Sequence, residues 1–331
     1  MATETVASPA GAVTNYREHE AELLLQRKTA EAEGIVALVL TEPSGADLPE
    51  WSPGAHIDVV LEDSLTRQYS LCGSTKDRHS YRVGVLRDPK SRGGSSFIHD
   101  KLEEGDLVRI RGPRNHFPLI DVPEYIFIAG GIGVTPMIPM IAAAAGRGAN
   151  WRLLYGGRQR ASMGFVEELA AYGDRVSFYP QDEVGFIPLP SVLSEPRPDT
   201  LIYCCGPELL LEAVEGLAQN WPPGSLHTER FSAKPMAASP SALATFEVVC
   251  QRSGITITVD EGKSILSACE AAGMTILASC RDGVCGTCEA AVLEGAPDHR
   301  DSVLSADERA ANEYMMICIS RSLTPRLVLD I

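Results

Sequence analysis

From about position 16 to 117, apolar residues recur at every second position in short runs broken by turn residues. Segments 20–26, 34–41, 56–61, 68–72, 81–86 and 107–111 read as strands, with one helix over about 95–102. Short alternating strands of this kind predict a small antiparallel barrel. The period then changes. Segment 125–129 is a continuous apolar strand that runs into Gly130-Gly131-Ile132-Gly133-Val134-Thr135-Pro136-Met137 and an Ala-rich helix from about 135. Strands over 151–155, 176–179 and 201–204 alternate with helices over 162–172 and 207–218, the mark of a doubly wound parallel sheet. A small-residue, Pro-containing run over 232–243 suits a linker. Beyond it, strands over 246–252 and 255–259 and a helix over 264–272 lead into a cysteine-rich loop. The expected organisation is a lead-in at 1–15, a barrel unit at 16–119, an α/β unit at 120–231, a linker at 232–243 and a smaller α+β unit at 244–331.

Composition narrows the classes. The chain has 331 residues and a formal net charge of −15, a poor match for nucleic acid, whose phosphates need clustered Lys and Arg. No apolar stretch is long enough to span a membrane, and no charged-then-apolar signal opens the chain. Nine cysteines without an export signal indicate a reducing, cytoplasmic compartment.

Four of those cysteines carry chemistry. Cys280, Cys285 and Cys288 stand in C-x4-C-x2-C order, with Cys318 downstream, the plant-type spacing for a [2Fe–2S] cluster. Gly283 and Gly286 allow the loop to fold tightly around two irons. A zinc site would more often pair two C-x2-C knuckles. The loop is expected near the surface, with Arg281, Asp282 and Thr287 facing an electron-accepting partner. Cys72, Cys204, Cys250 and Cys269 read as small buried apolar residues.

The other motifs are weaker alone. Arg67-Gln68-Tyr69-Ser70 offers a cation for phosphate, a ring face and a hydroxyl. Ser91-Arg92-Gly93-Gly94-Ser95-Ser96 leads into a helix whose first N–H groups suit an anion. Taken alone, Arg67 is more often a solvated strand residue, and Gly93-Gly94 more often a plain turn. Gly130, Gly131 and Gly133 open a helix after a strand, although Pro136 stands where the common dinucleotide fingerprint has its third Gly. Cys205-Gly206-Pro207 ends a later strand at the carboxyl edge of the sheet. Gly262-Lys263-Ser264 resembles the end of a phosphate loop but lacks its first Gly, since Ile257 stands there. Asp260-Glu261 and Asp307-Glu308 read as solvated faces or helix starts, and His56 and His116 as residues packed in the barrel.

In this order, the Arg67–Leu71, Ser91–Ser95, Gly130–Met137 and Cys205–Pro207 runs and the cysteine loop resemble the phthalate dioxygenase reductase family, which includes the reductase subunit of vanillate demethylase. The resemblance covers nearly the whole chain from about Tyr16. It implies an antiparallel β-barrel flavin domain, an α/β parallel-sheet nicotinamide domain and an α+β plant-type ferredoxin domain. It places FMN, in preference to FAD, on Arg67, Tyr69, Ser70, Gly93, Gly94 and Ser95, with Ser96 as an alternative hydroxyl. It sets the nicotinamide coenzyme on Gly130, Gly131, Gly133, Thr135, Pro136 and Gly206, puts Cys205 beside the hydride, and matches Phe231 to an aromatic near the flavin. NADH is the implied coenzyme; Arg158, after a strand of the parallel sheet, keeps NADPH as the alternative.

The activity implied is reduction of a Rieske-type oxygenase by a monomer that transfers electrons from NAD(P)H through FMN to the cluster. A cytochrome P450 is the alternative acceptor. A carrier or sensor without turnover is the reading from another class, and the flavin and nicotinamide motifs count against it.

Overall fold

The computed structural model describes residues 19–62, 65–89, 93–234 and 243–331. The lead-in at 1–15, Ser91 and Arg92, and most of the 232–243 linker lie outside the described residues. The first unit contains β1 (Glu20–Ala32), β2 (Ile35–Thr41), β3 (His56–Glu62), β4 (Leu65–Ser70), β5 (Ser80–Leu86), the helix α1 (Gly94–Asp100) and β6 (Leu107–Arg114). The strands form one antiparallel sheet in the order β4-β3-β6-β1-β2-β5, and a bridge from Leu71 to Val83 brings its two edges together. Its alternating inward residues, among them Leu23, Leu25, Leu38, Leu40, Ile57, Val59, Val83 and Ile110, make a closed core. β1 runs six residues past the expected end at Gln26. Its exposed second half lacks an apolar alternation but pairs with β2 through the Glu33-Gly34 turn, with Gly34 at φ +73°.

The second unit contains β7 (Glu124–Gly130), α2 (Met137–Gly146), β8 (Asn150–Gly157), α3 (Val166–Ala170), β9 (Val176–Pro180), α4 (Gln181–Val184), α5 (Leu189–Val192), β10 (Thr200–Cys205), α6 (Glu208–Ala218) and β11 (Leu226–Glu229). All neighbours in the sheet order β11-β10-β7-β8-β9 run parallel. The central β7 is buried on both faces from Tyr125 onward, which explains its unbroken apolar run. The chain leaves β7 in one direction through β8 and β9, then returns to its other side with β10. The crevice between the carboxyl ends of β7 and β10 is therefore the switch point where such sheets bind ligands.

The helix expected over 162–172 is short. Phe165 takes a left-handed conformation, φ 62°, ahead of α3 and buries its ring against Gly84 of the barrel. Ala37 and Cys72 of the barrel share one core with Phe127, Tyr155, Met163 and Phe165, so the two units pack as one body.

The third unit contains β12 (Phe246–Cys250), β13 (Ile255–Val259), α7 (Ile265–Ala271), β14 (Glu289–Glu294), β15 (Pro297–Asp298), α8 (Ala306–Ala311), β16 (Tyr314–Met316), β17 (Arg321–Ser322) and β18 (Arg326–Leu329). A mixed sheet in the order β13-β12-β18-β14-β16 packs on α7 through Val248, Val259, Ile265, Leu266 and Leu327. Ser264 and Ser267 form the capping box of α7, which gives Gly262-Lys263-Ser264 a structural role. Asp307 and Glu308 sit in the first turn of α8, as expected of a helix start.

Candidate functional site

β4 carries Arg67, Gln68, Tyr69 and Ser70 to the wall of a cavity of about 600 Å³, well within the range of cofactor pockets. Arg67 and the glycine turn prove to be one construction. The Arg67 side chain crosses Gly94 so closely that a Cβ there would meet its Cγ at 2.5 Å and its Nε at 2.8 Å. Gly93, at φ +102°, turns the chain into α1. Ser95 lines the cavity and accepts the Asp88 N–H at 3.1 Å, whereas the Ser96 hydroxyl donates to the Gly93 carbonyl at 3.0 Å. Burial pushes the Tyr69 phenol up, so its ring stays neutral beside Arg67. A cation, a neutral ring and a hydroxyl on one wall fit a planar, phosphorylated group.

The opposite wall comes from the parallel sheet. Gly130, Gly133 and Gly206 bring the turns after β7 and β10 into contact. A Cβ on Gly133 would sit 2.3 Å from the Cys205 carbonyl oxygen, and one on Gly206 would lie 2.9 Å from Gly130 Cα. These glycines serve close packing whatever they bind. Gly131, at φ +55°, has open space around it. Pro136 starts α2, and Thr135 donates its hydroxyl to Ile132 O at 2.9 Å; both Thr135 and Ile132 line the cavity. Phe231, 46 % exposed, stands on the cavity wall rather than in a core.

Cys205 is fully buried at the end of β10 and does not itself line the cavity. It reaches the cavity through Glu229, whose Oε2 lies 3.9 Å from its Sγ. Burial pushes the Cys205 thiol well up, so it is a neutral group and not a thiolate nucleophile.

Glu229 is the residue that sequence reasoning missed. It ends β11, a four-residue strand too short to be read from its pattern, and it precedes Arg230-Phe231. It is half-buried and lines the cavity with Ser70, its carboxyl within hydrogen-bonding reach of Cys205. Burial pushes the carboxyl up to about 8 despite both neighbours. Arg230 pins the segment through Glu208 at 3.2 Å and Glu215 at 2.6 Å.

The third side of the cavity belongs to the cysteine loop: Ser279, Cys280, Asp282 and Val284 all line it. The four sulfurs converge, with Cys280 within hydrogen-bonding reach of Cys285 and Cys318, and Cys318 of Cys288. Cys280 Sγ accepts the Asp282 N–H at 3.3 Å and the Val284 N–H at 3.5 Å. Arg281, Gly283 and Gly286 take left-handed conformations that wrap the loop. Four convergent thiols with backbone donors aimed at them fit a two-iron cluster.

Of the loop's polar residues, Arg281 is exposed as expected of a docking face, whereas Asp282 and Thr287 are half-buried beside the cavity and the cysteines. Asp282 lines the cavity, Arg281 pairs with Glu270 at 2.5 Å, and the Thr287 hydroxyl lies 3.2 Å from Cys285 Sγ. His56 and His116 both line the cavity; His56 is buried in the barrel wall as expected, whereas His116 is exposed and not packed in the barrel.

A barrel, a switch-point sheet and a plant-type cysteine loop around one cavity define a pyridine-nucleotide-linked flavin and iron–sulfur reductase. The family profile described as the 2Fe-2S iron-sulfur cluster binding domain matches residues 248–323. The chain is 42 % identical over 302 residues to the phenoxybenzoate dioxygenase subunit beta of Ectopseudomonas oleovorans, covering 91 % of this chain and 94 % of that protein. It resembles the solved structure of phthalate dioxygenase reductase with TM-score 0.69 and 34 % identity, over 94 % of this chain and 98 % of the other. The chain therefore belongs to the phthalate dioxygenase reductase family. It also matches an intact type IV self-sufficient cytochrome P450 monooxygenase with TM-score 0.89 and 42 % identity, over 94 % of this chain but only 41 % of that longer one.

Proposed function

We propose that this protein is the NADH-dependent reductase component of a multi-component, Rieske-type oxygenase, working as a cytoplasmic monomer. The observation that carries the reading is the single cavity on which Arg67, Tyr69 and Ser70 of the barrel, Thr135 and Phe231 of the nicotinamide unit and Cys280 of the cluster loop all meet. When bound, the flavin takes the nicotinamide's hydride as an electron pair and the [2Fe–2S] cluster takes the electrons singly.

The residues supply the rest. Arg67, with Gly93, Gly94 and Ser95, holds the flavin phosphate, while Tyr69 lies along the ring and Ser70 donates to it. FMN over FAD, and NADH over NADPH, rest on the family likeness. Gly130, Gly131, Gly133, Thr135, Pro136 and Gly206 shape the coenzyme's seat at the switch point. Phe231 covers the cavity on the nicotinamide side and keeps water from it. Cys205 backs Glu229, which would hold a proton beside Ser70 on the cavity wall. Cys280, Cys285, Cys288 and Cys318 ligate the cluster. The domain limits that follow are 16–119 for the flavin unit, 120–231 for the nicotinamide unit and 244–331 for the ferredoxin unit.

A P450 acceptor is the second reading, favoured by the likeness to the self-sufficient monooxygenase. Reconstitution with a Rieske oxygenase and with a P450 tests both. Product formation with the Rieske partner is expected, and coupling to the P450 alone reverses the assignment.

A further inference from the structure

The cysteine loop leans on the barrel at two points that flank its inner ligands. Ser279, beside Cys280, stands close enough to Asp58 to influence its carboxyl. Gly286, beside Cys285, lies against the ring of His116, so that a Cβ there would come within 2.6 Å of Nε2. Between these anchors the paired strands β3 and β6 present a buried ion pair. Arg114 Nη2 lies 2.7 Å from Asp58 Oδ1, with the side chains 16 % and 1 % exposed. Arg114 stands two residues before His116, near the sulfurs of Cys285 and Cys280.

Stability alone is a poor reason to bury this pair, because removing two charges from water commonly offsets their mutual attraction. Its placement has a second consequence. When one electron leaves the reduced flavin and enters the cluster, the cluster with its four thiolates gains one negative charge, and no proton has to move. A fixed cation on the flavin side of the loop favours that more negative state, and net charge and hydrogen bonding are what set such potentials.

We propose that the barrel, not the ferredoxin unit, tunes the cluster. Arg114, oriented by Asp58, raises the cluster's reduction potential, while the Ser279–Asp58 and Gly286–His116 contacts hold the loop within its field. The inference rests on ligation of the cluster by the four cysteines.

The test is potentiometry of the full-length holoprotein, followed by the EPR signal of the reduced cluster, with iron content and flavin potential measured alongside. Arg114→Met is expected to move the one-electron flavin-to-cluster equilibrium at least tenfold toward the flavin, equal to 59 mV. Arg114→Lys keeps the charge and is expected to retain most of the wild-type potential. Asp58→Asn removes the opposing charge and is expected to shift the potential the other way, and it serves as the probe if Arg114→Met does not fold. A purely structural pair would not give shifts of opposite sign. Unchanged potentials, or shifts of the same sign, in variants with full iron content overturn the proposal. Wild-type protein without iron would instead overturn the ligand assignment.

Discussion

Gly94→Ala isolates the joint between the two flavin runs. Gly94 is not in a left-handed conformation, and it opens a helix, so its backbone accepts alanine. The new methyl would stand 2.5 Å from Arg67 Cγ, 2.8 Å from Nε and 3.1 Å from Cδ, so the Arg67 stem must leave its path across the turn. A charge-assisted bond to phosphate is worth roughly 1.5–3 kcal/mol, and losing it weakens binding by about tenfold to a hundredfold. Arg67→Ala is expected to cost the same. Because both changes remove one contact, the double variant is expected to bind no worse than Arg67→Ala alone. Flavin-free protein titrated with FMN by fluorescence gives the affinities, and thermal unfolding confirms that the barrel stays intact. Unchanged FMN affinity in Gly94→Ala with a displaced Arg67, or a double variant whose losses simply add, would refute the shared construction.

Glu229 makes the fold pH-sensitive. Its carboxyl is held at about 8 against an ordinary 4.5, so between these values the folded protein binds more protons there than the unfolded chain, and stability falls as pH rises. Glu229→Gln is expected to flatten that part of the unfolding midpoint's pH dependence, and an unaltered slope would show that the carboxyl ionises freely. Asp282→Lys, on the cavity wall, is expected to change the rate of cluster reduction in stopped-flow while sparing NADH-to-ferricyanide turnover; a purely salt-dependent effect on oxygenase delivery would return Asp282 to an outer docking role. Arg158 is exposed after β8, and Arg158→Ala is expected to leave kcat/KM for NADH within a few-fold; loss of a clear NADPH advantage would reverse the coenzyme assignment.

The barrel and the parallel sheet were legible because their strands carry unmistakable periods: two-residue alternation around Ile57 and Val83, and an unbroken apolar run through Phe127. The four cysteines that the structure brings together were legible from spacing alone. The ferredoxin unit's later strands were not, since β15, β16 and β17 are two or three residues long and are held by pairing rather than by pattern. The site was half legible. Motifs named Arg67, Thr135 and Cys280, yet nothing local told that Gly94 exists to let Arg67 pass, that Asp282 lines the cavity, or that Arg114 and Asp58 sit against the cysteine loop. Those are contacts between segments far apart in the chain. Glu229 stayed hidden for a different reason: an acidic residue at a strand end reads as solvated, and only tertiary packing gives it a raised carboxyl.

The central claim is that electrons cross one cavity in a fixed order, from nicotinamide to flavin to cluster. Anaerobic stopped-flow of Cys285→Ser against NADH tests it most directly, with iron and flavin content measured on the same sample. The account predicts a variant without a cluster that keeps its flavin, still reduces that flavin at close to the wild-type rate, and delivers nothing to the oxygenase. Delivery to the oxygenase at the wild-type rate without the cluster, or loss of the flavin together with the iron, would contradict it.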